Sequence, residues 1–180
     1  MVEAARRAKR HGAQVILDPA PALPDLRAEL FQHVDLLTPN ESEAAQLLDR
    51  PPGNLTTADA ASIARRLQAP GPPTVIIKMG PQGCLLADGS QITQIAAPRV
   101  KAVDTTAAGD IFNAALTVAR SEGASLRDAC EFAVQAAALS VTRFGAQPSV
   151  PSRIETESHF GESGLKSSGN SCDLMSKPGV

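Results

Sequence analysis

Apolar positions along the chain alternate between a strand-like and a helix-like rhythm. Residues 2–11, rich in Ala and Arg, read as the end of a helix. Val15-Ile16-Leu17 is a short apolar run cut off by Asp18-Pro19, which predicts a buried strand leading into the Pro-rich loop Pro19 to Pro24. Residues 25–33 predict a short helix and 34–38 a second strand ending at Pro39. Residues 41–48 predict a helix with Ala44, Leu47 and Leu48 on one face. After the loop Pro51-Pro52-Gly53-Asn54, Thr57 is placed to cap a helix that runs to about Leu67. Thr74-Val75-Ile76-Ile77-Lys78 is the best strand in the chain. Beyond Gly80 and Gly83, Cys84 to Ala87 turns at Asp88-Gly89 into Gln91 to Ile95, a β-hairpin signal. A helix over 108–121 buries Ile111, Phe112, Ala115, Leu116 and Ala119. Ser125 starts another, reaching Thr142 and carrying Leu126, Ala129, Phe132, Ala133, Ala136 and Leu139.

Strands and helices in alternation predict an α/β fold with a largely parallel sheet. From Pro151 the composition changes, and residues from about 155 onward read as a disordered or poorly packed tail. The domain then covers residues 1–154, with 155–180 as the tail. No internal repeat is visible. Taken alone, this pattern says only that the chain is a soluble α/β domain.

Charge and cysteine usage narrow the class. The net charge of −2 gives no electrostatic footprint for nucleic acid or an anionic membrane, so neither is expected as a partner. No apolar run is long enough to span a bilayer. The basic start, Met1 to Arg10, lacks the apolar stretch of a secretory signal. Glu3 and the want of a Ser cluster speak against a transit peptide. Cys84, Cys130 and Cys172 are widely spaced and show no metal-ligand rhythm, and Cys84 sits in a core-like run. A reduced, cytoplasmic location is the expectation.

The chemistry concentrates in Val103-Asp104-Thr105-Thr106-Ala107-Ala108-Gly109-Asp110, which runs straight into an apolar helix. Small residues let the backbone approach an anion, and the free N–H groups and dipole of a helix start favour negative charge there. An acid in a first helical turn is also a common capping device, so Asp110 alone is ambiguous. The whole string, D-T-T-A-A-G-D before I-F-N-A-A-L, resembles the signature of the ribokinase, or PfkB, carbohydrate kinase family. The resemblance implies a ribokinase-like three-layer α/β/α sandwich, a kinase that transfers phosphoryl from ATP to a sugar hydroxyl, and Mg²⁺ and K⁺ as cofactors. It makes Asp110 the catalytic base that meets the substrate hydroxyl. It makes the N–H groups of Ala107, Ala108 and Gly109 an anion hole for the transferred group. Those roles suit phosphoryl transfer, which needs mainly positioning and charge stabilisation.

Other segments match in the family's order. Val15 to Ala22 resembles the strand and Pro-rich turn ahead of the nucleotide site. Leu37-Thr38-Pro39-Asn40-Glu41-Ser42-Glu43-Ala44 resembles the N-x-x-E motif, where Asn40 contacts phosphate and Glu43 holds Mg²⁺ through water. The same residues also spell a helix capping box. Lys78-Met79-Gly80-Pro81-Gln82-Gly83 resembles the nucleotide-binding turn, and Val134 stands where the family often has a polar residue near the adenine. Ser140 to Pro151 resembles the K⁺-binding string. Its ligands, by residue match, are carbonyls of Thr106, Ser140, Arg143 and Gly145 with side-chain oxygens of Asp104 and Ser149. This segment favours ribokinase over other members of the family.

The resemblance runs from about residue 13 to 151. The family's Gly-Gly-Lys-Gly-Ala-Asn-type segment, its sugar-binding residues and its small β lid have no counterpart here, so the opening helix is expected to lie inside a longer kinase. Ribose is the expected small-molecule substrate. A catalytically silent nucleotide-binding fragment, or a kinase of another sugar or a nucleoside, are the alternatives. Family dimers pair through the lid, which leaves a homodimer open.

Overall fold

The computed structural model describes residues 1–22, 28–51, 53 and 55–161. In chain order the elements are α1 (Val2–Arg10), β1 (Ile16–Leu17), α2 (Ala28–Phe31), β2 (Leu36–Leu37), α3 (Glu41–Gln46) and α4 (Thr57–Gln68). They continue with β3 (Thr74–Lys78), β4 (Cys84–Asp88), β5 (Gln91–Ile95), α5 (Ala108–Ser121), α6 (Leu126–Ser140) and α7 (Arg153–Phe160). One sheet has the order β1-β2-β3-β4-β5. β1, β2 and β3 pair in parallel, while β4 is antiparallel to both of its neighbours. Four of the five strands therefore run one way and only β4 is reversed. The local β4–β5 hairpin turns at Gly89, whose φ of 53° suits a residue without Cβ.

β3 explains why the sheet lies inside. Thr74 to Ile77 are all buried, so neither face of this strand meets water. Alternation then splits the side chains between two cores. Val75 and Ile77 pack with Leu37, Leu85, Ala60, Ile63 and Leu67 on the α4 side. Leu36, Ile76, Cys84 and Leu86 pack with Phe112, Leu116, Ala129 and Ala133 on the α5–α6 side. Helices thus cover both faces, which is the three-layer α/β/α arrangement expected. Cys84 and Cys130 meet inside the second core. A hydrogen bond from the Cys84 thiol to Cys130, together with burial, pushes that thiol above its usual range, so it stays an inert core group.

Three local expectations shift. The cap of α4 is Thr56 rather than Thr57: its side chain accepts from the Asp59 N–H, and the Thr57 hydroxyl instead donates to Gln94. Thr56 is one residue further out, where the extended backbone of a cap precedes the first helical turn. The strands expected at 15–17 and 34–38 contract to residue pairs, although backbone bonds continue past them from Asp35 to Val15 and from Thr38 to Leu17, and the Asp35 carboxylate accepts the Val15 N–H at 2.8 Å. The boundary placed near residue 155 falls inside α7. Ser152 caps this helix with Glu155, Thr156 is buried, and the Arg153 guanidinium lies 4.9 Å from the Phe132 ring centroid on α6. Residues 23–27, which belong to the expected helix 25–33 and Pro-rich loop, lie outside the described residues, as do 52, 54 and 162–180.

Candidate active site

The carboxyl ends of β1, β2 and β3 open onto a cavity of about 820 Å³. In open α/β sheets this is the end where ligands bind. Asp18 follows β1, Asn40 follows β2 with Glu43 one turn into α3, and Lys78 ends β3. The start of α5, Ala107 to Asp110, closes the cavity from the other side. One end is thus polar. Another stretch of the lining is mostly apolar, formed by Val134 and Ala137 of α6, by Val141 at its C-cap and by Ala97, Pro98 and Val100 of the segment after β5, with Arg99 among them. A charged end together with a mostly apolar stretch fits a ligand with an anionic tail and a flat, weakly polar head.

The α5 terminus is left without a cap. Ala107, the N-cap residue, has a left-handed φ of 61° and no side chain able to accept a hydrogen bond. Such a conformation costs an L-residue roughly 1–2 kcal/mol. The Ala108 N–H donates to the Thr105 carbonyl at 3.2 Å. The Gly109 and Asp110 N–H groups make no backbone bond among the described residues, and both residues line the cavity. A Cβ on Gly109 would meet only the Lys78 Nζ, at 3.5 Å. The glycine therefore keeps a cradle open beside an ammonium, which fits a phosphate. The Asp110 side chain is exposed, and no hydrogen bond or ion pair engages it among the described residues.

The N-x-x-E segment folds as the capping box. Asn40 Oδ1 accepts the Glu43 N–H at 2.9 Å, and Glu43 Oε2 accepts the Asn40 N–H at 2.7 Å. Both residues line the cavity. Asn40 Nδ2 and Glu43 Oε1 remain outside the box. One hard, anionic oxygen at a cavity wall suits a Mg²⁺ ion held through its waters. In the turn after β3, Lys78, Gly80, Pro81 and Gly83 line the cavity. Met79 is buried in the core instead, and Gln82 is exposed and does not line the cavity. Gly83 is set by packing as much as by any ligand, since a Cβ there would lie 2.0 Å from the Ile95 carbonyl oxygen.

The residues matched to K⁺ gather beside α5. The Asp104 carboxylate accepts from the Thr106 hydroxyl at 2.6 Å, the Thr106 N–H at 2.9 Å and the Gly145 N–H at 2.9 Å. These donors, the Thr106 hydroxyl first, hold its carboxyl below the usual range. Ser140 and Ser149 are buried, their hydroxyls donating to the Ala137 and Ala146 carbonyls. The Arg143 N–H donates to the Ser140 carbonyl, and its guanidinium pairs with Glu155 at 3.0 Å. No cluster of three or more His, Cys, Asp or Glu occurs among the described residues. A donor set of one carboxylate, hydroxyls and carbonyls is chemically suited to a weakly charged cation rather than to a tightly held divalent one.

Two polar residues beside Lys78, Asp18 of the cavity lining and Asn113 of α5, carry no local signal in the sequence. The Asp18 carboxylate accepts from Lys78 Nζ at 3.1 and 3.0 Å and also accepts from Asn113 Nδ2. Asp18 and Lys78 lie 60 positions apart and Asp18 and Asn113 lie 95 apart, so only the fold joins them. A charged residue at the carboxyl end of each of two parallel strands is the one available hint.

The pfkB family carbohydrate kinase profile matches residues 1–153. The Bacillus subtilis ribokinase is 42% identical over 147 residues, which cover 82% of this chain and 46% of that protein. The structure of Arabidopsis thaliana ribokinase complexed with ribose and ATP superposes with a TM-score of 0.79 at 34% identity, covering 87% of this chain and 50% of that one. The Escherichia coli phosphofructokinase-2 in complex with potassium gives a TM-score of 0.74 at 26% identity, covering 87% and 50%. The chain thus spans about half the length of the relatives it matches. No helix of the described residues is long and apolar enough to cross a membrane. With its signature at the start of α5, its three-layer sheet and this profile match over most of its length, the chain belongs to the pfkB family of carbohydrate kinases.

Proposed function

We propose that the chain forms the nucleotide-binding and catalytic portion of a ribokinase, an enzyme that moves the terminal phosphoryl group of Mg·ATP to a ribose hydroxyl. The observation that carries this reading is the unpaired Asp110 at an uncapped helix start on a cavity with one charged end and one mostly apolar stretch. Asp110 takes the proton of the attacking hydroxyl. The Gly109 and Asp110 N–H groups and the α5 dipole stabilise charge on the moving group. Asn40 and Lys78 hold phosphate, and Gly80 lets the chain come close to it. Glu43 orients the water shell of Mg²⁺, which when bound neutralises phosphate charge. The apolar wall at Val134 takes the base. Asp104, Thr106, Ser140, Arg143, Gly145 and Ser149 hold K⁺, supported by the potassium complex of the Escherichia coli relative.

Titration calorimetry and thermal melts with Mg·ATP test the nucleotide part. A ligand that binds only the native state raises the melting temperature with its concentration. Absence of heat and of any shift at millimolar Mg·ATP would remove the reading. A ribose-dependent ADP-release assay tests the sugar part. These 180 residues alone are expected to turn over little, because orientation of the hydroxyl supplies roughly 7–11 kcal/mol of the barrier and the chain spans half of its relatives' length. A fusion to the complementary half of the Bacillus subtilis ribokinase should be active. A second reading, a nucleotide-binding unit without catalysis, rests on the same half coverage. It gains if that fusion binds Mg·ATP and ribose yet releases no ADP.

A further inference from the structure

We propose that Asp18 and Asn113 are positioning residues that aim the Lys78 ammonium at the distal phosphates of the nucleotide. The inference rests on the Mg·ATP reading above and deepens it. Lys78 leaves the end of β3, where its N–H is tied to the Pro39 carbonyl at 2.9 Å, so its backbone has a fixed position. Its side chain is only 12% exposed, although it lines the cavity. An ammonium has three donors. Two of them go to the two oxygens of Asp18. The third is left for the cavity, on the side where Gly109 has no Cβ and where a Cβ would lie 3.5 Å from Nζ. Asp18 is held in turn by Asn113, one helical turn beyond Asp110 on α5. The triad therefore ties the end of β1, the end of β3 and the helix bearing the base into one polar floor. Asn113 Oδ1 is buried with no partner in this structure, so the amide is kept there by its single bond to Asp18.

Charge alone and positioning predict opposite signs for one substitution. Asp18 is an anion beside a site for anions. If it acted only through its field, Asp18→Asn would strengthen Mg·ATP binding. If it aims Lys78, the same change frees a flexible four-carbon stem and weakens that binding.

Mg·ATP and AMP are titrated into the 180-residue chain and its variants, followed by backbone amide NMR, with thermal melts as the folding check. The parent chain should prefer Mg·ATP to AMP. Asp18→Asn should weaken Mg·ATP by about tenfold while AMP changes by less than about twofold, the size of one lost charge-assisted contact. Asn113→Ala should act in the same direction and by less. Should Asp18→Asn unfold, Asn113→Ala carries the test, since it keeps both charges in place; unchanged Mg·ATP binding in that folded variant then overturns the inference. Unchanged or tighter Mg·ATP binding in the folded variant overturns the inference. So does an equal loss for Mg·ATP and AMP, which marks a merely structural tie, or a parent chain with no preference between them. A parent chain that binds no Mg·ATP overturns the underlying reading instead, and the inference with it.

Discussion

Two helices begin at the same cavity and treat their first turns in opposite ways. α3 closes its own end: Asn40 and Glu43 exchange side-chain and backbone hydrogen bonds in both directions. α5 begins on an alanine in a left-handed conformation, leaves the Gly109 and Asp110 N–H groups unengaged, and exposes an acid that nothing binds. A helix start satisfied by its own side chains has little left for a ligand. One that forgoes its cap keeps donors and dipole available, at a cost in stability of about 1 kcal/mol. Cost and availability at the cavity are thus two aspects of one local choice.

The sharpest break in this contrast is Asp110→Asn. In the active fusion it should lower ribose-dependent ADP release by about 100-fold or more, the usual worth of a positioned base, while leaving the melting temperature nearly unchanged because the carboxylate has no partner to lose. A large drop in melting temperature would show that the acid is a cap after all. At the closed end the expectation reverses. Asn40→Ala should cost about 1 kcal/mol of stability, seen as a lower urea midpoint. Its effect on Mg·ATP binding then reports how much the free Nδ2 adds beyond the cap.

Ala107→Gly sharpens the same contrast by removing strain without adding a cap. Relief of the left-handed backbone outweighs the extra unfolded-state freedom of glycine by about 0.5 kcal/mol, so the melting temperature should rise by a degree or two. Smallest is a pH effect confined to the open end. Asp104 holds the 104–106 turn that leads into Ala107, and its folded carboxyl lies below the unfolded value. A lowered folded pKa means stability that is complete above the unfolded value, about 3.9, and is lost as pH falls through the folded one. Asp104→Asn should therefore lower the melting temperature slightly at neutrality and flatten its profile below about pH 4, where variant and parent converge.

Much of the fold was legible because its signals are local. β3 is an unbroken apolar run, the β4–β5 hairpin is announced by Asp88-Gly89, and Ser125 caps α6 where its hydroxyl pattern placed it. α7 was not legible: its eight residues bury only Thr156, and it is held by Arg153 against Phe132, 21 positions away. The site divides along the same line. The Asp104–Asp110 string and the Asn40–Glu43 box could be read as motifs because their chemistry is contiguous. The Asp18–Lys78–Asn113 floor could not, since no window of the sequence contains it.

That floor also bears on how the molecule assembles. β3, β4 and β5 follow one another along the chain and pair with immediate neighbours, so their contacts close short loops. Joining Asp18 to Lys78 and Asn113 closes loops of 60 and 95 positions, whose entropic cost comes due before any contact rewards it. The hairpin side can nucleate early. The catalytic floor is completed only when the first and last thirds of the domain have docked, so a chain that binds nucleotide has finished folding across its whole sheet.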